Sequence, residues 1–130
     1  MISLKVHSVL DYIAAILIVA SPWIFGFENL NYARGIFVYG GIFLVLYSLF
    51  TDYKYSVFNW ISVPFHMGMD AIIGLVFLIS PNIFDYSSEL TTMQYAVHWI
   101  FGLGIIALVV FTNQQKAAVS GIRSEFKKAA

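Results

Sequence analysis

Four long apolar stretches alternate with short polar segments along the chain. The first is continuous from Tyr12 and, with the turns before it, predicts a helix over about Ser3 to Ala20. The second, Gly35 to Thr51, carries no charge and is bounded by Arg34 and Asp52. A third helix is expected from Ser62 or Phe65 to Ile79, and a fourth from Met93 to Phe111. A bilayer core of ~30 Å takes about 20 mainly apolar helical residues, which matches the scale of these stretches. Ser3 and Ser62 stand where a hydroxyl can cap a first turn. Pro22 and Pro81 lack an N–H; the first helix is expected to kink or end near Pro22 and the third to stop before Pro81, with Gly26 available for a tight turn. Trp23, Phe25 and Phe27 would then lie at a lipid headgroup boundary.

The pattern occurs twice. Shifting the sequence by 59 residues aligns Met1 to Phe27 with Trp60 to Tyr86 and matches Ile2/Ile61, Ser3/Ser62, His7/His66, Asp11/Asp70, Ile13/Ile72, Ser21/Ser80, Pro22/Pro81, Ile24/Ile83 and Phe25/Phe84. With two extra residues in the second half, Gly41 aligns with Gly102, and Phe50-Thr51-Asp52 with Phe111-Thr112-Asn113. The expected architecture is therefore all-α and polytopic. Four transmembrane helices form two tandem hairpins, related by a pseudo-two-fold axis along the membrane normal because both hairpins have the same orientation. Residues 1–113 form one membrane domain, with repeats over about 1–54 and 60–113, followed by a basic tail over 114–130. Gly40, Gly41, Gly102 and Gly104 are candidates for close helix approach.

Ser21-Pro22-Trp23 at the end of an apolar helix, within a duplicated two-helix unit, resembles the SPW repeat family of small prokaryotic membrane proteins. The step from His7 to Ser21 recurs from His66 to Ser80, and the likeness extends to about Phe111. The resemblance implies two membrane helices per repeat and no established reaction or cofactor. The second copy departs from the pattern with Asn82 in place of the tryptophan of Ser80-Pro81-Trp.

Composition supports the bilayer as solvent: 60% of residues are hydrophobic and 11% charged, too few polar groups to cover a soluble domain of 130 residues. The absence of cysteine excludes disulfides, thiolate metal sites and cysteine nucleophiles. Residues 1–27 look like a secretory signal, but their duplicate lies mid-chain, so the first copy is read as a retained helix. Net charge is zero yet unevenly placed. Lys5, Lys54, Lys116, Arg123, Lys127 and Lys128 fall on one side and Arg34 on the other, with Glu28, Asp85 and Glu89. The positive-inside rule makes the lysine-rich side cytoplasmic, giving a multi-pass protein of the prokaryotic inner membrane with both termini in the cytoplasm. In the tail, Val119, Ile122 and Phe126 form a stripe flanked by Lys116, Arg123 and Lys127, suited either to a helix on an anionic leaflet or to a solvated tail.

The candidate chemistry lies in His7-x-x-x-Asp11 and His66-x-x-x-Asp70, whose spacing puts imidazole and carboxylate on one helix face. Three readings compete. In the structural one, each pair satisfies itself and helps dock the first helix on the third or pin the helix ends at the inner interface. In the second, His7 and His66 ligate a haem iron or a metal while Asp11 and Asp70 orient the rings. In the third, the four residues line a proton or cation route. His98 has Phe37 as its alignment partner and reads as a packing histidine, or, beside Trp99, as part of a separate outer site. Ser21-Pro22 and Ser80-Pro81 read as helix stops rather than ligand sites.

No phosphate loop, catalytic triad order or zinc-binding motif is present, and the few basic residues flank spans, which speaks against hydrolases, kinases and nucleic-acid binding. The preferred expectation is a non-enzymatic accessory or scaffold subunit without a cofactor, whose partners are the lipid bilayer and other membrane subunits or copies of itself. The alternative is a module built on His7, Asp11, His66 and Asp70 that binds a cofactor or conducts protons.

Overall fold

The computed structural model describes residues 1–113, 122–123 and 125–130. It contains four long helices: α1 over Leu4–Ile24, α2 over Asn31–Phe50, α3 over Val63–Ile83 and α4 over Thr92–Phe111. A short 3₁₀ turn at Ser87–Glu89 precedes α4. All four are long and apolar enough to cross a membrane. α1 packs mainly on α2 and α3 on α4, so the chain forms two helical hairpins, with a smaller contact between α2 and α3.

Within each hairpin the closest backbone approach occurs where no side chain intervenes. A Cβ on Gly41 would lie 2.9 Å from the Ala15 carbonyl oxygen, and one on Gly102 2.8 Å from that of Gly74. Gly40 and Gly104 do not share this role: the nearest neighbour to a Cβ on Gly40 would be Phe77 at 3.6 Å, and none would come within 4 Å of one on Gly104.

The helix ends revise the expectations drawn from proline. α1 and α3 pass through Pro22 and Pro81 to end at Ile24 and Ile83. A proline this near a C-terminus forfeits only its own N–H, while the carbonyls that follow find other donors. Phe25 N–H donates to Ser21 O and Phe84 N–H to Ser80 O, 2.9 and 3.0 Å. The chain then turns through a left-handed residue, Gly26 (φ 71°) or Asp85 (φ 55°). The next N–H returns to the proline carbonyl, Phe27 to Pro22 at 2.8 Å and Tyr86 to Pro81 at 3.0 Å. This is the Schellman arrangement, and the aromatic that follows the left-handed residue turns inward. Phe27 is consequently buried against Phe37 and His98 instead of lying at the lipid boundary, whereas Trp23 is exposed.

Other boundaries differ by less. α2 starts a turn earlier than its uncharged run because Arg34 can reach back to the Glu28 carbonyl and Asn31 Oδ1. Ser3 caps α1 by accepting from Val6 N–H, but Ser62 makes no such bond at α3, where Pro64 removes one of the first-turn donors. Thr91 and Gln94 form a capping box at α4.

The two ends of the membrane domain meet. Ile2 N–H donates to Phe111 O and Asn113 N–H to Ile2 O, 2.8 and 3.0 Å. Ile61 does the same at the end of α2, donating to Phe50 O and accepting from Asp52 N–H, both 2.9 Å. Of the tail stripe, Lys116 and Val119 lie outside the described residues, while Ile122 and Phe126 are exposed.

Candidate functional site

His7 and Asp11 occupy successive turns of α1, and His66 and Asp70 the same turns of α3. At this spacing both members of each pair face one direction, and the bundle turns all four inward to a common point. None is more than 2% exposed. The pairs do not each satisfy themselves, as expected from spacing alone; the hydrogen bonds cross between helices. His7 Nε2 lies 3.1 Å from Asp70 Oδ2, and His66 Nε2 lies 3.1 Å from Asp11 Oδ2. Within the helices, His7 Nε2 to Asp11 Oδ1 is 3.4 Å and His66 Nε2 to Asp70 Oδ2 is 3.2 Å. Each Nε2 thus sits between carboxylates from both helices.

The far side of each ring is held by a threonine at the end of an even-numbered helix. His7 Nδ1 is 2.7 Å from Thr112 Oγ1, and His66 Nδ1 is 2.8 Å from Thr51 Oγ1. Each threonine hydroxyl donates its single proton to a carbonyl one turn back, Leu108 O or Tyr47 O, both at 2.6 Å. The hydroxyl oxygen can then only accept from the imidazole, which places an N–H on Nδ1 of both histidines. The Nε2 atoms face the carboxylates with either a lone pair or a second proton.

Two tyrosines complete the surroundings, both with rings against His66. Tyr47 Oη donates to Asp70 Oδ1. Tyr53, in the loop after α2, packs its ring against His66 and His7, with centroids 4.7 and 6.0 Å away. Its hydroxyl is buried without a hydrogen-bond partner. Burial, and after it the Asp11 and Asp70 carboxylates, hold the Tyr53 phenol far above its ordinary range. Tyr12 fastens this loop by donating to the Tyr55 carbonyl.

Thr51, Thr112, Tyr47 and Tyr53 were not among the residues singled out from sequence. The threonines carried a signal, because Phe-Thr recurs at the ends of α2 and α4. Tyr47 carried none, since its position in the second repeat is Leu108.

The geometry discriminates among ligands. Asp70 Oδ2 lies within 3.2 Å of both histidine Nε2 atoms, so no slot remains between the rings for a porphyrin disc. The four residues instead offer one donor atom apiece, all within 4.8 Å of one another, a spacing suited to a single ion. Beyond them, toward the Ser-Pro ends of α1 and α3, the core becomes aromatic and aliphatic, with Phe37 packed on Phe77 at 4.7 Å, beside Ile18, Leu44 and Ile73.

The repeat motif and His98 form a second, separate polar group at the opposite end of the bundle from the His/Asp cluster. Ser80 Oγ lies 2.8 Å from Tyr86 Oη, which lies 3.2 Å from His98 Nε2; His98 Nδ1 donates to Gln94 O at 2.8 Å. His98 sits against Phe37 and Phe27 with both nitrogens engaged, a packing histidine. Burial pushes the Tyr86 phenol up to about 12, opposed by its bond to Ser80. Ser21 instead donates to Leu17 O at 2.7 Å, and Gln94 Nε2 ties α4 to the end of α1 through Phe25 O and Gly26 O, at 3.0 and 3.2 Å. Asn82 donates to Tyr95 Oη at 3.2 Å, a contact that serves its own repeat.

No curated protein and no solved structure matches the chain. A family model, the SPW repeat domain, matches residues 5–112, which takes in all four helices apart from Leu4 and both His/Asp pairs. The chain therefore belongs to the SPW repeat family, as a membrane-type protein of four apolar helices.

Proposed function

We propose that this protein is a non-enzymatic, multi-pass component of the prokaryotic cytoplasmic membrane, with both ends of its membrane domain in the cytoplasm, acting as an accessory or scaffold subunit. The supporting observation is the division between inside and outside. The buried histidines and aspartates, His7, Asp11, His66, Asp70 and His98, are each engaged by another side chain or a carbonyl of the same chain, while residues such as Ile16, Tyr39, Leu75 and Ile100 give the helices an apolar exterior. A site whose groups satisfy one another holds a scaffold in shape; a catalytic centre needs room for a substrate. The apolar layer around Phe37 and Phe77 also argues against a continuous proton path from the cluster to the outer side. An open apolar groove of about 450 Å³ between α1 and α2, lined by Ala15, Val19, Ala20, Trp23 and Leu46 among others, is shaped for an acyl chain or a neighbouring helix.

Crosslinking in native membranes, followed by gentle purification and quantitative mass spectrometry, tests this role. A membrane subunit recovered in stoichiometric amount, or a defined homo-oligomer, is the expected result. A monomer that forms no crosslink and co-purifies with nothing would overturn it.

A further inference from the structure

We propose that His7, Asp11, His66 and Asp70 form a closed, four-coordinate site for a first-row divalent transition ion, with Zn²⁺ as the test case. The first ground is donor geometry. Tetrahedral zinc bonds to nitrogen and oxygen of roughly 2.0–2.1 Å place neighbouring ligand atoms about 3.3 Å apart. His7 Nε2 lies 3.1 Å from Asp70 Oδ2 and 3.4 Å from Asp11 Oδ1, His66 Nε2 lies 3.2 Å from Asp70 Oδ2 and 3.1 Å from the other Asp11 oxygen, Oδ2, and one donor atom from each of the four residues lies within 4.8 Å of the rest. The donors come from two helices and converge on one point.

The second ground is the state of the imidazoles. The threonine bonds fix the proton on Nδ1 in both rings, the tautomer whose Nε2 lone pair binds a metal, and a hydrogen bond to the other nitrogen is how metal-binding histidines are usually oriented. Tyr47 likewise occupies Asp70 Oδ1 and leaves Oδ2 directed at both histidines. A third ground is charge: two carboxylates and one dication sum to zero, the balance that a site at most 2% exposed within an apolar bundle requires.

The donor set also narrows the ion. Two imidazole nitrogens with two carboxylates suit Zn²⁺, Fe²⁺ or Co²⁺, whereas Ca²⁺ and Mg²⁺ prefer oxygen ligands in larger numbers. Four protein donors with Tyr53 packed over the rings leave no open position, so the ion is structural and clasps α1 to α3. The site stands or falls independently of any partner subunit.

The test uses the full chain without a purification tag, in mild detergent, stripped with chelator, re-equilibrated with Zn²⁺ and desalted. Elemental analysis should return about one zinc per chain, and Co²⁺ in its place should give the intense visible bands of tetrahedral coordination. Asp11→Asn combined with Asp70→Asn should abolish stoichiometric binding, and His98→Gln should retain it. Thr51→Val should weaken zinc affinity by about 10–100-fold through loss of the hydrogen bond that orients His66. X-ray absorption of the zinc-loaded wild type should show two imidazoles and two oxygen donors, a readout that decides the matter even if the double variant does not fold. Wild-type protein that holds no zinc above a protein-free detergent blank, a double variant that holds as much as wild type, or a spectrum without imidazole would overturn the site.

Discussion

Thr51 and Thr112 have one hydroxyl proton each, and each gives it to a carbonyl of its own helix. That commitment decides which nitrogen of His66 and His7 carries hydrogen, and so what the rings present to the carboxylates. Removing one member of such a cluster leaves the others buried without a counterpart. Asp11→Ala is expected to lower stability by about 3–5 kcal/mol, with a smaller loss for Asp11→Asn, measured by denaturation in detergent micelles. The histidines and aspartates were legible in the sequence because their spacing repeats. The crossing of their hydrogen bonds was not, since a spacing of four fixes a helix face but not what that face meets. Tyr47 and Tyr53 were hidden for a further reason: Tyr47 has no mate in the other repeat, and Tyr53 acts from a loop that reads as a polar connection.

Helix ends and helix contacts follow rules that operate over one or two turns. Asp85 occupies a left-handed position that glycine fills in the first repeat, so Asp85→Gly should raise stability by about 0.5–1 kcal/mol in equilibrium unfolding. Close packing predicts the opposite sign at Gly102. A Cβ there would meet Leu78 at 2.7 Å and the Gly74 backbone at 2.8 Å. Gly102→Ile should therefore cost roughly 1–3 kcal/mol and loosen α3 from α4, whereas Gly104→Ala, with nothing within 4 Å, should not be destabilising. The four spans were legible because apolar length is a strong signal. The two prolines misled because their effect depends on distance from the helix end: with a left-handed residue four positions on, the last turn closes without the missing N–H.

For the molecule as a whole, the even number of crossings puts the start of α1 and the end of α4 on one face, a relation the Ile2 bonds to Phe111 and Asn113 make direct. If the lysine-rich face is cytoplasmic, a single cysteine introduced near Lys54 should resist a membrane-impermeant maleimide in intact cells, and one near Arg34 should react. Equal labelling of the two positions would exclude a single orientation. The Ile2 bonds have a further consequence. The start of α1 leans on the end of α4 through the same two backbone hydrogen bonds by which the start of α3 leans on the end of α2. Ile2 and Ile61 thus make the same junction, one between the two ends of the membrane domain and one across the connection from α2 to α3. A circular permutant that begins at Asn59 and joins Asn113 to Ile2 through a linker as long as the Tyr53–Phe58 loop should insert and fold, keeping His7 opposite Asp70.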